Sequence, residues 1–250
     1  MAHCHAERLA LLSCRATSTT VMSSDRRESR HLYNINAEGA NLLHFLYLRT
    51  RLTTLTDMDL KGKKIILGSN SPRRKELIGG LDIDFQVDTR NTFEEVYDPS
   101  TPQEKIPQVL SEGKSYGFHR PLEDDEILIT SDTLVLCGDR VMGKPASRED
   151  AIDMIRCLSD KNHKVITAIT LRDSKRCITV SDTALVHFKA LTDNEIEYYV
   201  DTYKPFDKAG AYGIQEWIGY IGIDKIEGSY FTIMGLPVHL VYQELVKFIG

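Results

Sequence analysis

From Met58 onward, hydrophobic and polar positions fall into alternating blocks of two kinds. Segments near 64–69, 84–88, 127–136, 163–171, 177–188 and 217–226 are apolar runs or alternate with period two, which predicts strands. Segments near 73–79, 102–119, 147–158, 192–202 and 237–249 carry helical spacing. Ser147-x-x-Asp150 and Thr192-x-x-Glu195 are helix-start signatures, and Pro107 should bend or delay the second helix. Asp173-Ser174 reads as a turn between two long β segments, so part of the sheet is antiparallel. The expectation is an α/β fold on a mixed sheet over residues 58–250.

The first 57 residues break this rhythm. They contain no lysine, seven arginines and five acids, and are rich in Ser and Thr. Residues 6–12 are apolar but too short for a secretory signal. The segment reads as a poorly ordered extension, either a targeting segment or a stretch translated upstream of a true start at Met58. Residues 41–49 could form one or two helical turns.

Charge and cysteine content narrow the function classes. The net charge is −5, and the N-terminal 57 residues carry +2, so the remainder carries −7. An acidic body argues against bulk binding to nucleic acid or anionic membrane. Five cysteines form no CxxC pair, which suits free thiols in a reducing cytoplasm. No apolar run approaches the roughly 20 residues of a membrane span.

Four segments carry candidate chemistry. Ser69-Asn70-Ser71-Pro72-Arg73-Arg74 follows a buried strand and opens a helix, with Pro72 suited to its first position. Backbone N–H groups, hydroxyls and guanidinium groups there suit phosphate; a capped surface helix with solvated arginines is the plain alternative. Ser131-Asp132-Thr133 puts a carboxylate inside an apolar strand, a costly placement unless it is paired, binds metal or faces a cleft. Ser181-Asp182-Thr183 repeats the tripeptide and reads as a strand-surface aspartate. Gly143-Lys144-Pro145 could present a lysine to phosphate, and Asp207-Lys208-Ala209-Gly210-Ala211-Tyr212-Gly213-Ile214-Gln215 brings backbone, ring and amide together. Lys114 on a helix, and Glu94 and Glu95 on a loop or strand end, read as solvated when taken alone.

Taken in order, SNSPRR (69–74), SDTLV (131–135), GKP (143–145), DKAGAYGIQ (207–215) and GSYFTIMGLP (228–237) closely resemble the Maf family of nucleoside triphosphate pyrophosphatases. The resemblance spans about residues 62–249 and implies a Maf/ITPase-like elongated mixed sheet flanked by helices, two lobes and a central cleft. It implies hydrolysis of a nucleoside triphosphate to monophosphate and pyrophosphate with a divalent cation, Mg²⁺ or Mn²⁺. By position, Asp132 would be the catalytic carboxylate and metal ligand. Ser69, Arg73 and Lys144 would hold the triphosphate, with Lys114 as a further basic contact. Glu94 corresponds to the family's acidic site residue, with the adjacent Glu95 one register away. Gln215 matches the site glutamine of the branch acting on dTTP and UTP, which implies those substrates and modified pyrimidine nucleotides. The alternatives are a 7-methyl-GTP or purine pyrophosphatase and a nucleotide-binding regulator of cell division. A homodimer is common in the family. One departure is Asn70, where a smaller residue is usual.

Overall fold

The apolar stretch at 127–129 lies in a central strand and buries all three side chains completely. Each such burial contributes about 1.5–3 kcal/mol. The computed structural model describes residues 60–250, within the compact unit Asp57–Gly250. The expected extension over 1–57, with its 41–49 segment, lies outside the described residues.

Chain order is β1 (Lys64–Leu67), α1 (Pro72–Gly79), β2 (Phe85–Val87), α2 (Ile106–Tyr116), β3 (Glu126–Cys137), β4 (Arg140–Met142), α3 (Arg148–Leu158), β5 (Asn162–Arg172) and β6 (Cys177–Phe188). There follow α4 (Asp193–Tyr203), α5 (Trp217–Gly222), β7 (Ile223–Glu227), α6 (Tyr230–Met234) and α7 (Val238–Ile249). The strands form one seven-stranded mixed sheet, ordered β2-β1-β3-β5-β6-β7, with β4 added to β3. β1 runs parallel to β2 and β3; the other pairings are antiparallel. The α/β expectation holds.

Local signals account for the element boundaries. The Ser147 hydroxyl accepts from Asp150 N at 3.1 Å, and Thr192 and Glu195 form a reciprocal capping box; such caps contribute about 1 kcal/mol each. Pro107 sits in the first turn of α2, after a single 3₁₀ turn at Gln103–Lys105, so the proline delays the helix rather than kinking it. The expected strand at 217–226 is corrected in its first half. Ile218 and Gly222 point to the core at i, i+4 spacing, so Trp217–Gly222 is helical and only Ile223–Glu227 is strand. A short continuous apolar run does not distinguish the two by itself. β4 and α6 are additions to the expected elements.

The two faces of the sheet are covered differently. Ile106 and Leu110 of α2 pack on Leu134, Leu136 and Ile166. The opposite face carries the main core, where α1, α3, α4 and α7 meet Val135, Val165, Ile169, Val186 and Phe188.

One local feature of the sheet positions the functional site. β5 borders β3 continuously from Leu128 to Leu136. On the other edge of β3, β1 ends opposite Ile129 and β4 ends opposite Val135. Among the described residues, no strand borders 130–134 there. The turn after β1 and the chain after β4 form the two lips of this gap, and Asp132 stands within it.

Candidate active site

A cleft of about 980 Å³ opens at the gap. Five cationic side chains line it, Arg73, Arg74, Lys114, Lys144 and Lys208, against three carboxylates, Glu95, Asp132 and Asp207. The cleft is therefore net positive in an acidic chain, which favours an anionic ligand. A second concavity of about 800 Å³, lined by Leu81, Phe231, Val238, His239 and Tyr242 among others, has no Asp, Glu, Lys or Arg in its wall.

The first lip is the turn from β1 into α1. Pro72 opens the helix, and the Ser71 side chain makes no cap bond. Instead Ser71 N–H donates to Ser69 Oγ at 3.3 Å, and the first turn carries no acidic residue. The helix tip keeps its positive end toward the cleft. Asn70 turns aside, its Nδ2 donating to Thr89 Oγ1 at 3.2 Å.

The two adjacent arginines take different jobs. Arg74 turns inward and bonds Gly235 O at 2.8 Å, Ser131 O at 2.9 Å and Thr133 Oγ1 at 3.2 Å. Loss of solvent lowers its pKa from the usual guanidinium value, and the Asp132 carboxylate opposes that effect. It ties the α1 tip to β3 and to the turn after α6. Arg73 keeps a more open position with a single carboxylate contact, Asp207 Oδ2 at 3.3 Å.

Asp132 is buried, with 12% of its side chain exposed, and its Oδ1 accepts from Lys114 Nζ at 2.6 Å. Burial raises its pKa above the ordinary carboxylate value; the Lys114 and Arg74 charges pull the other way. The same ammonium lies 2.8 Å from Glu95 Oε1. Glu95 is more exposed, so there the hydrogen bond from Lys114 prevails and lowers its pKa. Helix α2 thus presents one lysine to two carboxylates from different parts of the chain.

Phe93 explains how Glu95 arrives there. The far end of its ring rests on α2 at Gly113, where an added Cβ would stand 2.3 Å from Cζ. A glycine inside a helix costs about 1 kcal/mol relative to alanine, and here it provides the seat. Asn91 fastens the same loop, its Nδ2 donating to Lys114 O at 2.5 Å.

The cleft brings together Ser69, Arg73, Lys114, Asp132 and Lys144. Lys144 is exposed on the second lip, and the preceding Gly143 carbonyl accepts from Gly210 N at 3.0 Å. Glu94 is exposed and outside the cleft wall; Glu95 holds the place beside Lys114, a correction of one residue. Gln215 is half-buried just beyond Ile214, where the cleft wall ends. Asp207 and Lys208 belong to a quoted segment, but only the fold reveals their pairing with each other and with Arg73.

Among the described residues, no group of three or more His, Cys, Asp or Glu side chains converges as a metal cluster. The oxygen donors nearest to such a site are Asp132 and Glu95, already converging on one positive charge.

The profile of the Maf-like protein family matches residues 64–248. The dTTP/UTP pyrophosphatase of Parabacteroides distasonis is 49% identical over 190 residues, covering 76% of this chain and 98% of that protein. The dTTP/UTP pyrophosphatase of Porphyromonas gingivalis strain W83 is 45% identical over 192 residues, covering 76% and 96%. A HAM1 protein from Coxiella burnetii aligns over 50% of this chain and 73% of its own at 13% identity, with a TM-score of 0.33, too slight a likeness to bear on activity. A profile match of this length, with relatives this similar over nearly their whole length, makes the chain a member of the Maf-like protein family.

Proposed function

We propose that this chain hydrolyses nucleoside triphosphates, dTTP and UTP foremost, to the monophosphate and pyrophosphate. The observation that carries the reading is a single cleft in which a buried carboxylate, Asp132, shares a wall with a cationic helix tip and Lys144. The names of the relatives supply the pyrimidine choice.

The roles follow from the chemistry of the groups. A triphosphate brings several negative charges, which Arg73, Lys114 and Lys144 offset in a partly shielded cleft. Backbone N–H groups of the α1 tip and the Ser69 hydroxyl take phosphate oxygens. Burial makes Asp132 a better proton acceptor than a solvated carboxylate, and it takes the proton of the water that attacks phosphorus. Water adds to the α-phosphorus, the bond to the bridging oxygen breaks, and pyrophosphate leaves.

The donors present fit a hard divalent cation. Asp132 and Glu95 supply two carboxylates, the number Mg²⁺ or Mn²⁺ takes from protein when phosphate and water complete its shell. Such an ion, held by these two residues, would neutralise phosphate charge and polarise the phosphorus for attack. Lys114, which now lies between them, would turn to the phosphates.

Among the described residues no helix is long and apolar enough to cross a membrane. Cys137, Cys157 and Cys177 are free thiols, in keeping with a reducing compartment, and we place the reaction in the cytoplasm.

Pyrophosphate release measured across dTTP, UTP, the purine triphosphates and 7-methyl-GTP, with Mg²⁺ and with Mn²⁺, tests the reading. The two pyrimidine nucleotides should head the series, and a chelator should abolish turnover. Purines or 7-methyl-GTP ranking first would overturn the substrate assignment.

A further inference from the structure

Tyr212, Gly213 and Ile214 form one stretch of the cleft wall, and a chain of charged contacts stands directly behind it. Lys208 is buried, with Nζ 3.0 Å from Glu216 Oε1 and 2.7 Å from Asp207 Oδ1. The other Glu216 oxygen accepts from the Tyr199 hydroxyl, whose own oxygen accepts from Gly213 N–H at 3.0 Å. At the far end, Asp207 Oδ2 meets Arg73. The wall and the phosphate-facing arginine are therefore linked through one hydrogen-bonded sequence, Gly213–Tyr199–Glu216–Lys208–Asp207–Arg73.

The packing leaves no slack in this arrangement. Tyr199 is completely buried on α4. A Cβ at position 213 would stand 2.9 Å from Glu216 Cδ and 3.1 Å from Lys208 Cε. Burying an ammonium between carboxylates is a poor way to gain stability, because desolvation offsets most of the attraction. What it does supply is fixed geometry, since removing one member leaves a buried charge without its partner. Neither Tyr199 nor Glu216 reaches the cleft surface, so neither touches a ligand.

We infer that Glu216 and Tyr199 are positioning residues that set the Tyr212–Gly213–Ile214 wall, and with it the neighbouring Gln215, so that the site discriminates among nucleobases. The inference rests on the proposed nucleotide chemistry. Glu216 follows Gln215 directly, so the contacts that fix the Glu216 carboxylate also restrain the backbone that carries the amide. A displaced wall loses contacts that depend on base shape, while Ser69, Lys114 and Lys144, which lie outside this sequence of contacts, still hold the triphosphate.

Calorimetric dissociation constants for the α,β-imido analogues of dUTP and dATP, with Mg²⁺ and the full chain, test this in the wild type, Glu216→Gln and Tyr199→Phe. Glu216→Gln retains an acceptor for Tyr199 and removes one counter-charge of Lys208; Tyr199→Phe removes the bridge to Gly213 and changes no charge. The dUTP analogue should weaken about tenfold and the dATP analogue by less than about threefold, the scale of one buried charge-assisted hydrogen bond. Equal weakening of both analogues, or none, in variants that melt near the wild-type temperature overturns the inference. So does a wild type that binds the two analogues alike. If Glu216→Gln does not fold, Tyr199→Phe alone decides by the same criteria. Pyrophosphate release by the wild type, assayed alongside, judges the hydrolase reading separately. Selective binding without release would end that reading and leave the positioning role standing.

Discussion

The chain carries the tripeptide Ser-Asp-Thr twice, and the two copies sit almost side by side in the sheet. On β3, Asp132 pairs with Ala168 of β5, whereas on β6 Asp182 pairs with Thr167, one residue earlier. A shift of one residue along a strand moves a side chain to the other face. Asp132 therefore points toward α2 and meets Lys114, while Asp182 points toward α6 and accepts from Thr232 Oγ1 at 2.5 Å. Identical residues in neighbouring strands acquire different chemistry from the face they are dealt. The first has a lysine, a second carboxylate and an open sheet edge beside it; the second has a hydroxyl and, at 3.8 Å, His239.

The sharpest way to break this comparison is to neutralise each aspartate in turn. Asp132→Asn should lower pyrophosphate release by about 10²–10⁴-fold, the usual worth of a general base, with the fold retained. Turnover within a factor of a few of wild type would remove Asp132 from the chemistry. Its pH dependence adds a second test. Burial raises the folded-state pKa of Asp132 above the unfolded value. The stability this group contributes is then present at low pH and lost as pH rises through the folded value. Asp132→Asn should accordingly melt no lower than wild type at pH 8, with the difference shrinking as the pH falls toward about 4. A variant melting well below wild type at pH 8 would show that the Lys114 pair outweighs the burial.

Arg74 sharpens the contrast, because it anchors the Ser131 carbonyl and the Thr133 hydroxyl on either side of Asp132 and, among the described residues, has no counterpart at Asp182. Arg74→Lys gives up the planar fork that reaches Gly235, Ser131 and Thr133 together, and should cost about 3 kcal/mol in denaturant unfolding. Arg73→Lys, one residue away, should change stability by less than about 0.5 kcal/mol, since its ion pair is partly solvated. Equal losses would mean that the two arginines share one role. The smallest effect belongs to Asp182→Asn. It keeps an acceptor for Thr232, so stability should stay within about 1 kcal/mol and turnover within about twofold of wild type.

Much of this arrangement was legible in the residues themselves. The SNSPRR turn, the apolar strand around Asp132, the caps at Ser147 and Thr192 and the hairpin at Asp173 are local signals, and local chemistry decides them. What escaped depended on distant chain. Arg73 and Arg74 look alike until Gly235, far along the sequence, takes the second. Glu94 and Glu95 differ only in which one the Phe93 seat on Gly113 brings to Lys114. The Asp182 carboxylate read as surface, yet only 28% of its side chain is exposed, because α6 arrives over it. Trp217–Gly222 read as strand because its helical face shows only when Ile218 and Gly222 meet the core.

The interruption along β3, between the last partner from β1 and the first from β4, means that the protein leaves part of its central sheet unfinished. A triphosphate seated there would do the work of the missing strand, knitting together the turn after β1 and the chain after β4, which now meet through β3 and through the Asp207–Gly210 segment. Its binding free energy would enter directly into the cohesion of the sheet, in proportion to the logarithm of its concentration over its dissociation constant. Saturation with nucleotide should therefore tighten the molecule along a seam rather than uniformly, and the seam runs through Asp132.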